Sequence, residues 1–159
     1  MTRKMMRTGF ALLAAAVLGV ALAPRPSHAQ ARQSVWDGVY TDAQADRGKG
    51  QYAQHCAVCH GAALEGNGES PPLTGEFIPD WAGTTLADLY DKIETTMPLN
   101  APGTLRPAIA ADILAYLLKE NNFPAGQKEL DATPAALNAV SFDVTKPKPA
   151  ARPSRARVQ

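Results

Sequence analysis

The sequence predicts an all-α domain, and three observations support this prediction. Two segments carry apolar residues at the spacing of a helix with one buried face, residues 86–93 and residues 109–117. Ahead of a third segment, Thr41 and Gln44 have the spacing of a capping box, in which a hydroxyl and an amide bond free N–H groups at a helix start. No segment of the sequence alternates apolar and polar residues convincingly enough to predict a strand.

Three main helices follow from these patterns. The first is expected from Asp42 to about Ala57, which places a cysteine at its end. The second begins near Thr84 or Thr85 and ends at Pro98, because proline lacks a backbone N–H. The third spans about Pro107 to Glu120. Its proline suits the first helical position, because a backbone N–H there would have no partner within the helix. Residues 61–83 are rich in Gly and Pro and are expected to form a loop.

Residues 1–29 have the composition of a secretory signal peptide. A basic head precedes the uncharged run Gly9–Ala23, and small residues precede a cleavage site after Ala29. That run has 15 residues, whereas a membrane-spanning helix needs about 20. We therefore expect cleavage, export to the periplasm if the source is bacterial, and no transmembrane segment in the mature chain.

The mature chain divides into a domain, residues 30–131, and a tail, residues 132–159. Residues 30–143 carry 7 Lys and Arg against 15 Asp and Glu, a net charge of −8, whereas residues 144–159 carry five basic residues and no acidic one. A tail rich in Pro, Ala and basic residues is expected to be disordered. Its role is either to keep the protein soluble or to contact an acidic partner or an anionic membrane surface. No nucleic-acid partner is expected.

The only two cysteines, Cys56 and Cys59, lie in the segment Cys-Ala-Val-Cys-His. A redox dithiol normally begins a helix in a βαβ setting, which the pattern here does not predict. Structural zinc needs four ligands, and the adjacent His55 and His60 are poorly placed to complete them. A disulfide closing so short a loop restrains the unfolded chain little. These three interpretations remain as alternatives.

The segment also matches the attachment signature of c-type haem. In this interpretation Cys56 and Cys59 each form a thioether link to a haem vinyl group, and the imidazole of His60 becomes the proximal iron ligand. The cofactor is one covalent haem c. It would also fill the core of a domain too small to bury much surface by itself.

On these residues the chain resembles the class I monohaem c-type cytochromes over about Thr41–Asn121. The resemblance implies their small all-α fold, with three main helices and loops around the haem. In the family, a glycine and an aromatic residue let the first helix pack closely on the last one. Gly48 and Tyr52 match those positions, and Ile113 and Tyr116 match their partners.

The resemblance also implies three further site residues. Pro71 matches a proline whose carbonyl accepts the N–H of the proximal histidine, and Trp81 is a possible contact of a haem propionate. The family places its axial methionine in a loop, and Met97 is the one methionine left after cleavage. The expected metal ligands are therefore His60 and Met97, a pair that raises the reduction potential.

The predicted function is periplasmic transfer of single electrons between redox proteins, without enzymatic activity. Because His60 and Met97 would fill both free ligand positions of the one haem iron, no position is left for a substrate. The lead-in Val-Trp-Asp-Gly-Val-Tyr-Thr, residues 35–41, resembles, more weakly, that of cytochromes that accompany quinoprotein dehydrogenases, so such an enzyme and a terminal oxidase or other acceptor are the expected partners. A haem-based gas sensor with an open sixth site and a permanent dehydrogenase subunit remain as alternatives.

Overall fold

Helices are the main regular elements of the structure, a computed structural model that describes residues 32–148. The predicted signal peptide and residues 149–159 lie outside the described residues. The α-helices are α1 (Asp42–His55), α2 (Ala57–His60), α3 (Phe77–Asp80), α4 (Leu86–Asp91), α5 (Pro107–Glu120) and α6 (Pro134–Asn138). The structure also contains one 3-10 turn (Val35–Asp37), one π-helix (Lys92–Thr96) and two short strands, β1 (Gln33–Ser34) and β2 (Val140–Ser141). The all-α prediction is confirmed; the two strands form one short parallel pair that the sequence pattern did not predict.

The predicted capping box at the start of α1 forms only in part. The Thr41 side chain accepts a hydrogen bond from the Gln44 backbone N–H at 3.2 Å, as expected of an N-cap. The Gln44 side chain does not return to Thr41. Its amide donates to the Leu130 carbonyl at 3.2 Å, and its oxygen accepts from the Leu130 N–H at 2.7 Å. Gln44 is buried, and these two bonds fasten the chain after α5 to the first turn of α1.

The closest contact between α1 and α5 lies at Gly48. A Cβ on Gly48 would come within 1.8 Å of the carbonyl oxygen of Asp112 and 2.9 Å of Tyr116 Cβ. Only glycine allows the two backbones to approach so closely. One turn further along α1, the rings of Tyr52 and Tyr116 pack with their centroids 5.3 Å apart. The resemblance predicted this pairing of positions, and the structure confirms it.

Ion pairs border the same interface on its solvent side. The guanidinium of Arg47 on α1 donates to both carboxylate oxygens of Asp112 and to both of Glu129, at 2.9–3.0 Å. These hydrogen bonds, first to Asp112 and then to Glu129, raise the pKa of Arg47. Lys119 on α5 pairs with Asp42 and Asp46 on α1. Exposed pairs of this kind contribute little individually, so they set the relative position of the helices more than the stability.

The second predicted helix is present but changes its geometry. Thr85 caps α4 through a capping box with Asp88, and the residues expected on its buried face are at most 7% exposed. After Asp91 the chain continues as the π-helix up to Met97 instead of as a regular α-helix. The third predicted helix, α5, has the predicted bounds Pro107–Glu120.

The predicted boundary at residue 131 is wrong for the residues just after it. Leu137, Val140 and Phe142 are at most 4% exposed and belong to the core. The backbone of Phe142 bonds to that of Thr84 at 2.9 Å, and the ring of Phe142 packs edge-on against Phe123. The apolar residues of this segment are buried, but their spacing matches neither a helix nor a strand, so the sequence pattern did not predict their burial. Residues 132–143 therefore belong to the domain.

The described residues contain no membrane-spanning candidate. Within residues 32–148, no helix is both long enough and apolar enough to cross a bilayer.

The contact at Gly48 predicts opposite effects for two alanine substitutions in one helix. Gly48→Ala forces α1 away from α5 and should lower the free energy of unfolding by about 1–3 kcal/mol. Gly50→Ala is the matched control, because no described atom outside its chain neighbours and the backbone of its own helix lies within 4 Å of the added Cβ. It should raise stability by about 0.5–1 kcal/mol, since alanine favours the helix. Denaturant unfolding of the two haem-loaded variants compares them, and equal effects would contradict the close-contact interpretation.

Candidate functional site

The end of α1 positions the Cys-Ala-Val-Cys-His segment. The Cys56 N–H bonds to the Tyr52 carbonyl at 2.9 Å and closes the last turn of α1. The chain then forms α2, in which the N–H groups of Cys59 and His60 bond back to the Cys56 carbonyl at 3.1 and 2.9 Å. Residues three apart in a helical turn share a face. The two thiols are thus carried on one turn that α1 holds against the core.

The two cysteines differ in their surroundings. Cys56 is half-buried and packs against the core, whereas Cys59 is exposed. Burial, and to a lesser extent the neighbouring Cys59, raises the pKa of the Cys56 thiol to about 11. No disulfide joins Cys56 and Cys59 in the part of the chain that the structure describes.

The imidazole of His60 is oriented by the backbone of Pro71. His60 is 9% exposed, and its Nδ1 lies 2.9 Å from the Pro71 carbonyl oxygen. A carbonyl only accepts, so Nδ1 carries the proton and the Nε2 lone pair is available for a metal. No buried side-chain nitrogen or oxygen in residues 32–148 lacks a partner. Nε2 makes no hydrogen bond to a described residue and is therefore not fully buried. The contact predicted for Pro71 is present.

Backbone hydrogen bonds hold Pro71 above His60. The N–H of Gly66 donates to the His60 carbonyl at 2.8 Å, and the N–H of Leu73 donates to the Leu64 carbonyl at 2.9 Å. A Cβ on Gly66, whose φ is +71°, would come within 2.6 Å of the backbone around Pro71. Only glycine fits this turn, and the turn brings the proline carbonyl to the imidazole.

Tyr52 connects the start of this loop to α1. Its hydroxyl donates to the Gly61 carbonyl at 2.7 Å, directly after His60. Burial is the main cause that raises the pKa of Tyr52, so the hydroxyl stays protonated and remains a donor at neutral pH. Sequence reasoning gave Tyr52 a packing role and missed this bond. An aromatic residue four positions before Cys56 indicates the packing role. Nothing in the sequence indicates which group the tyrosine hydroxyl bonds to.

Met97 and Trp81 lie on other segments. Met97 is half-buried and follows the π-helix directly. Trp81 is half-buried at the end of α3, and its ring packs against Phe77 at 6.1 Å between centroids. Among the described residues, no hydrogen bond joins either side chain to Cys56, Cys59 or His60. Their expected roles as iron ligand and propionate contact stay predictions.

The donors of the attachment turn, residues 56–60, fit a covalently held haem. Two thiols lie on one turn, and the residue after the second presents an oriented imidazole with a free nitrogen. The segment after this turn carries partly buried apolar side chains that pack against the core and that a large planar apolar group could cover further; they are Leu73, Phe77, Ile78 and Trp81. Within residues 32–148, no three His, Cys, Asp or Glu side chains cluster to hold a bare metal ion. Cys56, Cys59 and His60 would hold the haem, and its iron would supply one-electron chemistry.

A separate cavity of about 340 Å³ lies beside α4, α6 and the start of α5. Its lining includes Tyr90, Glu94, Leu137 and Asn138 and none of the predicted site residues. The Tyr90 hydroxyl donates to the Pro107 carbonyl at 3.3 Å. Burial, followed by the charges of Glu94 and Asp91, raises the pKa of Tyr90 to about 12.

Comparison with known proteins identifies the class of this domain. Residues 43–117 match the family described as cytochrome c oxidase, cbb3-type, subunit III. No curated protein matches the chain. The structure of the sulfane dehydrogenase SoxCD from Paracoccus pantotrophus is similar at 24% identity, with a TM-score of 0.42. That match covers 67% of this chain and 60% of the other, and a likeness this low carries no argument about function.

The attachment turn, the oriented histidine and the family match together define a class I c-type cytochrome. The domain binds haem c covalently and carries electrons.

The bond between Tyr52 and Gly61 predicts a stability difference between two tyrosines whose rings touch. Tyr52→Phe should lower the free energy of unfolding by about 1–2 kcal/mol, because it leaves the Gly61 carbonyl without its donor. Tyr116→Phe is the control, since the Tyr116 hydroxyl bonds to no described residue. It should change stability by less than about 0.5 kcal/mol. Denaturant unfolding of the haem-loaded proteins measures both, and a Tyr116→Phe effect as large as that of Tyr52→Phe would contradict the assignment.

Proposed function

We propose that this protein is an exported monohaem electron carrier whose iron is bound by His60 and Met97. The observation that carries the proposal is the contact between His60 Nδ1 and the Pro71 carbonyl at 2.9 Å. It fixes the tautomer in which Nε2 can bind a metal, and it increases the basicity of that nitrogen. A histidine with only a structural role would not need one nitrogen kept free beside two thiols.

Met97 is the proposed second axial ligand. It is the one methionine in residues 30–159, and it lies where a helix passes into a loop. A thioether is a soft, weakly basic donor, so it favours ferrous iron and a high reduction potential. His60 and Met97 would together hold the iron of the haem, which would supply one-electron transfer and leave no ligand position for a substrate.

The surface around the attachment turn is the proposed contact face for redox partners. Val58 is 84% exposed, and its neighbours Cys59, Ala62 and Ala63 are also exposed. Small apolar side chains next to a haem edge permit a close but brief encounter, as small interfaces of electron-transfer complexes do. Export by the leader, residues 1–29, would place this face in the periplasm.

The partners are proposed from charge and from the family. Residues 30–143 carry a net charge of −8, which favours a partner with a basic docking surface. The matching family is described as an oxidase subunit, which supports a terminal oxidase as one partner. A quinoprotein dehydrogenase is the proposed donor. In this scheme the protein accepts one electron from a reduced donor and passes it on to an oxidised acceptor.

Removing the thioether tests the proposed ligation. Met97→Ala should abolish the weak methionine-to-iron charge-transfer band of the ferric protein, lower the potential and let the ferrous protein bind carbon monoxide rapidly. The unaltered protein should show the band and bind carbon monoxide slowly or not at all. Absorption spectra of both proteins give the answer. Rapid carbon monoxide binding by the unaltered protein, without the band, would favour the gas-sensor alternative.

The acidic domain predicts the direction of a salt effect. Electron exchange with a small cationic reagent, hexaammineruthenium, should slow by about tenfold or more as salt is raised to screening concentrations, because its attraction to the domain is screened. Exchange with anionic hexacyanoferrate should accelerate. Deleting residues 145–159 removes basic charge and should steepen both trends. Stopped-flow rates measure them, and rates with both reagents that do not depend on salt would contradict electrostatic steering.

A further inference from the structure

The segment before Met97 has an unusual backbone register. Lys92–Thr96 form a π-helix that continues from α4. In a π-helix each carbonyl accepts from the N–H five residues later, and such turns occur often at functional sites. The carbonyl of Lys92 therefore lies opposite the N–H of Met97. The register of this one turn decides how Met97 leaves the helix.

Two threonine hydroxyls complete this turn. Thr95 Oγ1 donates to the Asp91 carbonyl at 2.6 Å, and Thr96 Oγ1 donates to the Lys92 carbonyl at 2.7 Å. Each acceptor lies four residues earlier. In a regular α-helix these carbonyls would accept from the backbone N–H groups of the same two threonines. Each hydroxyl thus takes one of the two acceptor sites of a carbonyl that an α-helical N–H would also use.

The choice of register changes the direction of Met97. A change from the π to the α register rotates the following backbone by about one residue, or roughly 100°. The elements on both sides are fixed. Before the turn, Leu89 and Tyr90 of α4 are buried at 2% and 4% exposure, and beyond Met97 the Ala101 N–H bonds to the Pro98 carbonyl at 2.8 Å. The Thr104 hydroxyl also bonds to the Ala101 carbonyl at 2.7 Å. The hydrogen-bond register of the π-helix between these two fixed parts therefore sets the direction of the Met97 side chain.

We propose that Thr95 and Thr96 are positioning residues, whose hydroxyls hold the π register and so aim the Met97 thioether at the iron. The proposal rests on the proposed ligation by Met97. The threonines do not touch the iron or its ligand atoms; they act through the backbone of the ligand. Loss of both hydroxyls allows the α register, weakens the thioether bond and leaves the sixth position open to competing ligands.

Displacement of the thioether by imidazole tests this role in the ferric, haem-loaded protein. The Thr95→Val/Thr96→Val variant keeps the branched shape but loses both hydroxyls. Its apparent affinity for imidazole should rise by about tenfold, the effect expected from losing hydrogen bonds of ordinary strength. Thr96→Val alone should give a smaller rise in the same direction, and it provides the test if the double variant folds poorly. The Thr95→Ser/Thr96→Ser variant keeps both donors and should match the unaltered protein.

A stability control separates positioning from general loosening. Thr41→Ala removes the N-cap bond of α1 to Gln44, far along the chain from the π-helix. It should lower the stability of the domain and leave the affinity for imidazole unchanged. Equal imidazole affinity in the unaltered protein and both valine variants, with the charge-transfer band present in all, would overturn the role of the threonines alone. Absence of the band from the unaltered protein would overturn the ligation by Met97, and with it this proposal.

Discussion

The close approach of α1 and α5 at Gly48 is the constraint on which the rest of the structure depends. With a Cβ there, the Asp112 carbonyl oxygen would be 1.8 Å away, so only glycine lets the helices meet. α1 ends where the attachment turn begins, so the packing of α1 against α5 also fixes the position of Cys56. The packed rings of Tyr52 and Tyr116 continue the same contact, and the Tyr52 hydroxyl extends it to Gly61 beside His60. A single helix crossing thus positions the donors of the site.

The site is built largely by backbone groups. The Pro71 carbonyl orients His60, the Gly61 carbonyl anchors the start of the loop, and the carbonyls of Asp91 and Lys92 accept hydrogen bonds in the turn before the proposed ligand Met97. Carbonyl positions follow the fold and hardly depend on which side chain occurs there. This explains how loops rich in Gly and Pro can hold a histidine firmly, although they form no long regular element.

Sequence reasoning predicted what depends on local pattern. The helix spacing located α4 and α5, the Thr41 cap located α1, and the five-residue motif located the attachment turn. It missed features that depend on distant partners. Gln44 has the spacing of a capping box, yet its amide bonds to Leu130, because a buried amide must find two partners. Leu137, Val140 and Phe142 lack helical or strand periodicity, so their burial follows only from the assembled core. The π-helix has no reliable sequence signal, since its residues would also form an α-helix.

The mass of the exported protein tests the central claim most directly, namely that one haem is covalently held by Cys56 and Cys59. The chain is produced in a host with haem-attachment machinery, purified after export and denatured before intact-mass spectrometry. The account predicts a single species, the mature chain plus one haem, and Cys56→Ser/Cys59→Ser should give the mature chain alone. An unaltered protein with the bare peptide mass and two alkylatable thiols would contradict the account.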